Sequence, residues 1–418
     1  MATETLTRLA LDAHEQPFLP FSAPWFGDEE KNEVLQTLDS DWITTGPRTR
    51  AFEAKFAAYL GTAEAVAVSS CTAALHMSLA ATGVGPGDAV ITSPLTFTAT
   101  ANVIVHQGAQ PIFLDVDPET YNLDPDKLVT FIQERCRWDR RNHVLRLKRS
   151  KKRVRAIIAV HYAGHPCDMD EINACAREFR ITVIEDAAHA VGATYLGRKV
   201  GTLGDVACFS FYPTKAISTG EGGMLTTNDP ELAQRVRALS QHGISRDAWK
   251  RYGPDGSWKY DVLHAGFKYN MTDLSAALGL HQLEKLPSFL KRRADLAQQY
   301  RSMLAGLPLK HPTVLAHVES AWHLYPVQVR CPWLSRDQLI AGLREANIGT
   351  SVHFIPLHLM SYYQRCFGYR SGDFPVAEEV FKHIVSLPFF PRMADSDVER
   401  VAFAMSKVFA ESAPAVTV

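Results

Sequence analysis

The 418-residue sequence is short of several things at once. No run reaches about 18 apolar residues, the length of a membrane-spanning helix, and MATETLTRLALDAHE at its start holds no apolar core of signal-peptide length. A cytoplasmic protein without a membrane span is the expectation. Charge is balanced, with a net of −1, which argues against a whole-protein electrostatic footprint for nucleic acid. The seven cysteines include no C-x-x-C pair and no regular spacing, which excludes a disulfide framework or zinc ribbon and leaves the thiols free. GVGPGD does not open a G-x-G-x-x-G pattern and reads as a turn before a strand. There is no internal repeat and no low-complexity segment. What remains, 46% hydrophobic and 21% charged, is the composition of an ordinary globular enzyme, long enough for a large domain with a smaller companion.

Short apolar runs alternate with helical periodicity. AVAVSS, DAVITS, QPIFLDV, RAIIAVHY, ITVIEDA and VACFSFYP read as buried strands, and TAALHMSLAATG and DMDEINACAREF as helices between them. Glu29 to Leu60 reads as two helices broken by ITTGPR. The predicted fold class is therefore α/β, with a mainly parallel central sheet, helices on both faces, and ligands at the carboxyl ends of its strands. After Asp273 a long helix, LSAALGLHQLEKLPSFLKRRADLAQQYRSMLAGL, leads to a strand-like WHLYPVQVR and a helix–strand remainder. The expected division is an N-terminal arm over 1–20, a large domain over 21–275 and a smaller C-terminal α+β domain over 276–418. Between Arg135 and Arg155 the large domain carries a basic insertion of eleven Lys or Arg with a single acid, Asp139. A solvated helix or hairpin is its plain reading; a surface for anionic partners is the sharper one.

Four segments hold candidate chemistry. In FSFYPTKAISTGEGG, Lys215 follows a buried strand, where desolvation lowers a lysine's pKa and makes it a Schiff-base nucleophile, although most lysines after strands are simply exposed. VIEDAAHAVGA puts Asp186 at a strand end, where a carboxylate can keep a pyridine nitrogen protonated; a capping Asp in a turn is the alternative. Ala187 and Ala188 leave room for a flat ring, and His189 can donate to a phenolic oxygen. SSCTAALHMSL places Ser69, Ser70 and Thr72 at a helix N-terminus, suited to a phosphate but equally to plain capping. Ser210, five residues before Lys215, can reach the same phosphate. In LTFTATANVIV, Phe97 is either a ring-stacking aromatic opposite Ala188 or a core residue. His161, His165, Cys167 and Asp168 lie in a loop, not on one helix face, so no metal site is expected.

These segments, in this order with PWFGDEEKNEV, DWITTGPRTRAFEAKFAAYLG, GFKYNMTDLSAALGLHQLEKL and SVHFIPLHLMSYY, resemble the DegT/DnrJ/EryC1/StrS nucleotide-sugar aminotransferases, which are fold-type-I, aspartate aminotransferase-like enzymes dependent on pyridoxal 5'-phosphate. GFKYN, WHLY and HFIPLH look closest to the 4-aminotransferases of UDP-4-keto sugars, such as the enzyme of the 4-amino-4-deoxy-L-arabinose pathway.

The resemblance implies a homodimer that transfers an amino group from L-glutamate to the ketone of a nucleotide-linked keto sugar, with the cofactor alternating between pyridoxal and pyridoxamine phosphate. Lys215 would hold the cofactor and shuttle the proton. Asp186 would pair with the pyridinium nitrogen, His189 with the ring oxygen, and Phe97 and Ala188 would sandwich the ring. Thr72, the Ala73 amide and Ser210 would hold the phosphate, with Asn270 reaching it from the partner subunit. Many relatives place that Asn two positions earlier, where this chain has Lys268. Thr44, Thr45, His353 and His358 would line the sugar. Some relatives carry His in place of Lys215 and are dehydratases, so the lysine points to transamination. A 3-keto-sugar or cyclitol aminotransferase, a dehydratase and a non-catalytic cofactor-binding regulator are the alternatives, the last lacking any added binding domain. The insertion 135–155 is longer than the family's usual link, so nothing carries over there.

Overall fold

The structure is a computed structural model and describes residues 16–245 and 260–414. The expected N-terminal arm falls for the most part, at residues 1–15, outside the described residues.

Nine strands form the main sheet among the described residues: β1 Glu64–Val68, β2 Asp88–Thr92, β3 Gln110–Phe113, β4 Cys136–Asp139, β5 Val144–Leu147, β6 Arg153–Val160, β7 Thr182–Asp186, β10 Val206–Ser210 and β11 Gly223–Thr227. Its central path runs β1-β11-β10-β7-β6-β2-β3. Neighbours from β10 to β3 are parallel, and β11 runs antiparallel between β1 and β10. The inner strands are buried along their whole length, as continuous apolar runs such as VACFS and DAVIT require when both faces are covered. One cluster around Phe52, Phe56, Ile157 and Phe209 and another around Leu75, Ile158, Ile184 and Leu225 fill the space on the two faces. The parallel arrangement brings Val160, Asp186 and Ser210 to the same end of the sheet, where β1 also hands over to the helix Cys71–Ala81.

The basic insertion takes the hairpin form. β4 and β5 pair antiparallel, and Arg146 of β5 meets Arg153 at the start of β6. Alternation sorts its side chains: Cys136, Leu145 and Leu147 join the core, while Arg137, Arg140, Arg141 and Arg149 are exposed. The hairpin thus sits at the end of β6 opposite to Val160.

The long helix is Asp273–Met303, started by Thr272, whose hydroxyl accepts the Ser275 amide. Its first half buries Ala276, Leu280, Leu283 and Leu286 with the main sheet. Its second half buries Leu296, Ala297 and Tyr300 against another cluster, built on the antiparallel sheet of β12 Leu309–Lys310, β14 Tyr325–Val329 and β15 Ile384–Leu387. Helices Arg336–Glu345 and Asp395–Ser412 complete that layer. The remaining strands, β8 Thr194–Tyr195, β9 Arg198–Lys199 and β13 Val318–Glu319, form a small third sheet.

Candidate active site

After Ser210 the chain leaves the sheet and returns at Gly223, its partner in the β10–β11 ladder. The excursion is closed by the Phe211 amide donating to the Gly222 carbonyl and the Thr219 amide to the Phe211 carbonyl, both at 2.9 Å. Gly223 lies against the junction of β1 with the next helix. A Cβ there would stand 2.4 Å from the Ser70 carbonyl carbon and 2.6 Å from the Cys71 nitrogen, so only glycine fits. Within the excursion, the Lys215 amide donates to the Tyr212 carbonyl at 2.9 Å, and the side chain stands in the wall of a cavity of about 500 Å³. Desolvation brings the Lys215 ammonium down to about 8, against the opposing pull of Cys71 and Asp186.

Asp186 lines the same cavity and is buried. The Thr100 hydroxyl donates to its Oδ2 at 2.7 Å and the Ala188 amide to its Oδ1 at 3.3 Å. Thr100 shares a second hydrogen bond with Thr96 at 2.8 Å. Burial pushes the Asp186 carboxyl up, while the Thr100 donor, the Ala188 amide and the charge of Lys215 pull it back. Beyond it, His189 accepts the Ala163 amide at Nδ1, 3.3 Å away, which leaves the proton on Nε2. Burial and the neighbouring Lys215 hold this imidazole neutral, well below its usual range. The His323 ring lies 4.3 Å from that of His189, and the Phe354 ring stacks on the latter at 5.9 Å. His353 also lines the cavity, with Nδ1 2.9 Å from the Ser386 hydroxyl; burial and Lys215 push it down to about 4.

Opposite this wall begins the helix Cys71–Ala81. Ser70 caps it by accepting the Ala73 amide at 3.0 Å. The Ala73 amide, an expected phosphate donor, is therefore committed to the cap, and Ala73 is buried outside the cavity lining. The amides of Cys71 and Thr72 precede the intrahelical ladder, and Ser70, Thr72 and Ser210 all line the cavity. Phe97 is not a core residue: it is 61% exposed, lines the cavity and leans on Phe354 at 6.2 Å. Ala188 lies in the same lining.

Other expected residues stand elsewhere within one chain. His358 is fully buried beneath the helix Pro375–His383, with Nε2 2.9 Å from Glu378 and its ring 4.7 Å from Phe374, so it cannot touch a sugar. That expectation fails because a carboxylate twenty residues downstream claims the imidazole. Asn270 donates to the Thr45 hydroxyl at 2.6 Å, Thr45 donates to the Met271 carbonyl at 2.5 Å, and the Thr44 carbonyl accepts the Asp273 amide at 3.1 Å. Thr45 and Asn270 edge a separate small cavity of about 50 Å³ beside Arg50, Glu53 and Arg237. The loop histidines have partners in the fold. His161 accepts the Cys167 amide at Nδ1 and donates from Nε2 to Glu185, and His165 meets the Asn122 side chain. Asp168 accepts from the Tyr195 hydroxyl.

Cys71, Thr100 and His323 are cavity residues that no motif argument singled out. All three stand in quoted segments, SSCTAALHMSL, LTFTATANVIV and WHLYPVQVR. A cysteine or threonine opening a helix and a histidine entering a strand carry no local signal of what they meet across the fold.

The residues present fit pyridoxal phosphate. Asp186 is a buried carboxylate with raised pKa and, among the described residues, no cation in hydrogen-bond contact, which a protonated pyridine nitrogen would supply. Three hydroxyls and a helix N-terminus at one end suit a phosphate, and a lysine of lowered pKa suits an aldehyde.

Comparison with known proteins gives the same direction. Residues 24–406 match the DegT/DnrJ/EryC1/StrS aminotransferase family. The chain is 50% identical over 400 residues to the uncharacterized protein MJ1066 of Methanocaldococcus jannaschii, covering 95% of this chain and 99% of that one. It is 48% identical over 395 residues to the spore coat polysaccharide biosynthesis protein SpsC of Bacillus subtilis, covering 94% and 97%. Among solved structures, the PLP form of Spr1654 from Streptococcus pneumoniae superposes with a TM-score of 0.84 at 32% identity, covering 95% of this chain and all of that one.

Proposed function

The chain belongs to the DegT/DnrJ/EryC1/StrS aminotransferase family, whose members use pyridoxal phosphate, and from that premise we propose that it moves an amino group from L-glutamate to C4 of a UDP- or dTDP-linked 4-keto sugar. The observation that carries this reading is the meeting of Lys215 and Asp186 in one cavity, the lysine brought down to about 8. The similarity to a spore coat polysaccharide protein supports a sugar acceptor bound for a polysaccharide.

When bound, pyridoxal phosphate supplies an aldehyde that takes up an amine and an electron sink for the carbon that loses a proton. The chain's own residues do the rest. Lys215, its pKa brought down to about 8, receives a proton at Nζ and returns it, and no other lysine stands in the described lining of the cavity. The Asp186 carboxylate would be the counter-charge of the ring nitrogen, and Nε2–H of His189 would donate to the ring oxygen. Ser70, Thr72 and Ser210 would hold the phosphate with the helix N-terminus, while Phe97 and Ala188 would flank the ring. His353 and Phe354 close the rim where the sugar enters. Thr45 and Asn270, outside the cavity of their own chain, serve that of a second copy in a homodimer in the cytoplasm.

Borohydride reduction of the purified protein followed by peptide mass spectrometry tests the first step: the pyridoxyl group belongs on Lys215, and its appearance on another lysine refutes the assignment. Glutamate-dependent amination across UDP- and dTDP-linked 3-keto and 4-keto sugars tests the second, and exclusive turnover of 3-keto sugars would overturn the choice of C4.

A further inference from the structure

The cavity presents an electrostatic problem. Its described lining contains two acids, Asp186 and Glu221, and a single Lys or Arg, Lys215. Its three imidazoles, His189, His323 and His353, are all held below their usual range, chiefly by burial, and are neutral. Within the described lining of one chain, a dicarboxylate amino donor would find no cation other than the lysine needed for chemistry.

Behind His323 lies an outlier. Arg293, on the long helix, is 1% exposed. Its Nη1 donates at 3.2 Å to the carbonyls of Trp322, His323 and Phe389, its Nε has no partner, and among the described residues no carboxylate pairs with it. Burial brings it down to about 10, so it stays charged at neutral pH. A buried guanidinium without a counter-ion is costly, and the field of that charge is poorly screened in a water-poor interior. His323, fastened to it through its own carbonyl, is 4% exposed with Nδ1 unpartnered. His323 thus stands in the cavity lining with one ring nitrogen unpartnered, and the Arg293 guanidinium lies behind it, outside the lining, bound to the His323 carbonyl.

We propose that this pair is the carboxylate subsite for the amino donor: His323 contacts a carboxylate directly, and Arg293 supplies the positive field from behind while holding the Trp322–His323 turn in place. His323 is then a binding residue and Arg293 a positioning residue. The inference rests on the proposed use of an amino-acid donor at this site. It accounts for a cavity with no arginine in its described lining, and for a buried guanidinium that meets three carbonyls and the Phe389 ring but no carboxylate among the described residues.

The test uses the cofactor-loaded protein and glutarate, a dicarboxylate that cannot react, with UDP as the control ligand, both by calorimetry. His323→Phe keeps a ring against His189 and removes the polar atoms. Because a hydrogen bond to a charged group is worth about 1.5–3 kcal/mol, glutarate should bind about tenfold to a hundredfold more weakly. UDP affinity and the melting temperature should be unchanged. Arg293→Lys keeps the charge without the three-carbonyl clamp and should weaken glutarate less than Arg293→Met. Equal glutarate affinity in folded His323→Phe and wild-type protein would overturn the proposal. Bleaching of the wild-type cofactor band by glutamate is followed separately. If glutamate bleaches the band while His323→Phe binds glutarate normally, the donor reading stands and the subsite falls. If glutamate fails to bleach while glutarate still depends on His323, the subsite stands and the donor assignment falls.

Discussion

Replacing Thr100 by valine removes one hydroxyl from beneath Asp186 and leaves the shape nearly unchanged. The Thr100 hydroxyl stands closer to that buried carboxylate than the Ala188 amide does, at 2.7 Å against 3.3 Å. A hydrogen bond to a charged group contributes about 1.5–3 kcal/mol, and its loss should raise the Asp186 pKa further. Burial already lifts that pKa above 3.8 in the folded protein, so between the unfolded and folded values the folded state binds more protons. Stability therefore falls as pH rises through that window and stays lower above it. In Thr100→Val the window extends upward, and the deficit should be full at pH 8 and shrink as the pH is taken down toward 4. Loss of the bond to Thr96 adds about 1 kcal/mol that does not depend on pH. Urea unfolding of the cofactor-free protein at pH 5, 6.5 and 8 separates the two contributions, and Thr100→Ser, which keeps the hydroxyl, should recover most of the pH-dependent part. A deficit equal at pH 5 and pH 8, or serine behaving as valine, would refute the assignment of Thr100 as the prop of a charged Asp186.

Gly223→Ala should lower stability by about 1–3 kcal/mol or more, since its Cβ meets rigid backbone at Ser70 and Cys71, and it should weaken cofactor binding by displacing the helix N-terminus; denaturant midpoints and a cofactor titration check both. Lys215→Ala and Asn270→Ala, each inactive alone, should recover part of the activity when mixed, and size-exclusion chromatography should show at least a dimer; a fully active monomer would exclude the shared site. Serine at Arg137, Arg140, Arg141 and Arg149 together should leave turnover within about twofold, since these side chains sit at the end of β6 away from Val160, and a larger loss in steady-state kinetics would show that the hairpin serves catalysis.

The inner sheet was readable because each of its strands is an apolar run bounded by turn residues, a signal that sits within five or six residues of chain. The two-residue strands β8, β9, β12 and β13 offer no such run and went unread. That Lys215, Asp186 and Ser210 come to one cavity was legible because the ends of parallel strands gather at one edge of the sheet. His358 was not, since its meaning lies in Glu378, and sequence reasoning had no means of pairing the two. Arg293 is the sharpest case. KRRADLAQQY places it on the long helix without saying which way it faces, and the fold turns it inward onto three carbonyls. Such burial is decided by tertiary packing, and a single sequence carries little trace of it.

The pairing of Ser210 with Gly223 gives the Lys215 segment both its anchorages on neighbouring strands. The segment is therefore a closed loop whose ends cannot drift apart. A side chain that has to release its partner in each turnover and capture it again is, on such a tether, confined to a small volume about the same point. Recapture then proceeds at an effective concentration that free amines in the surrounding medium cannot match, and its rate is set by the loop and not by the abundance of the protein.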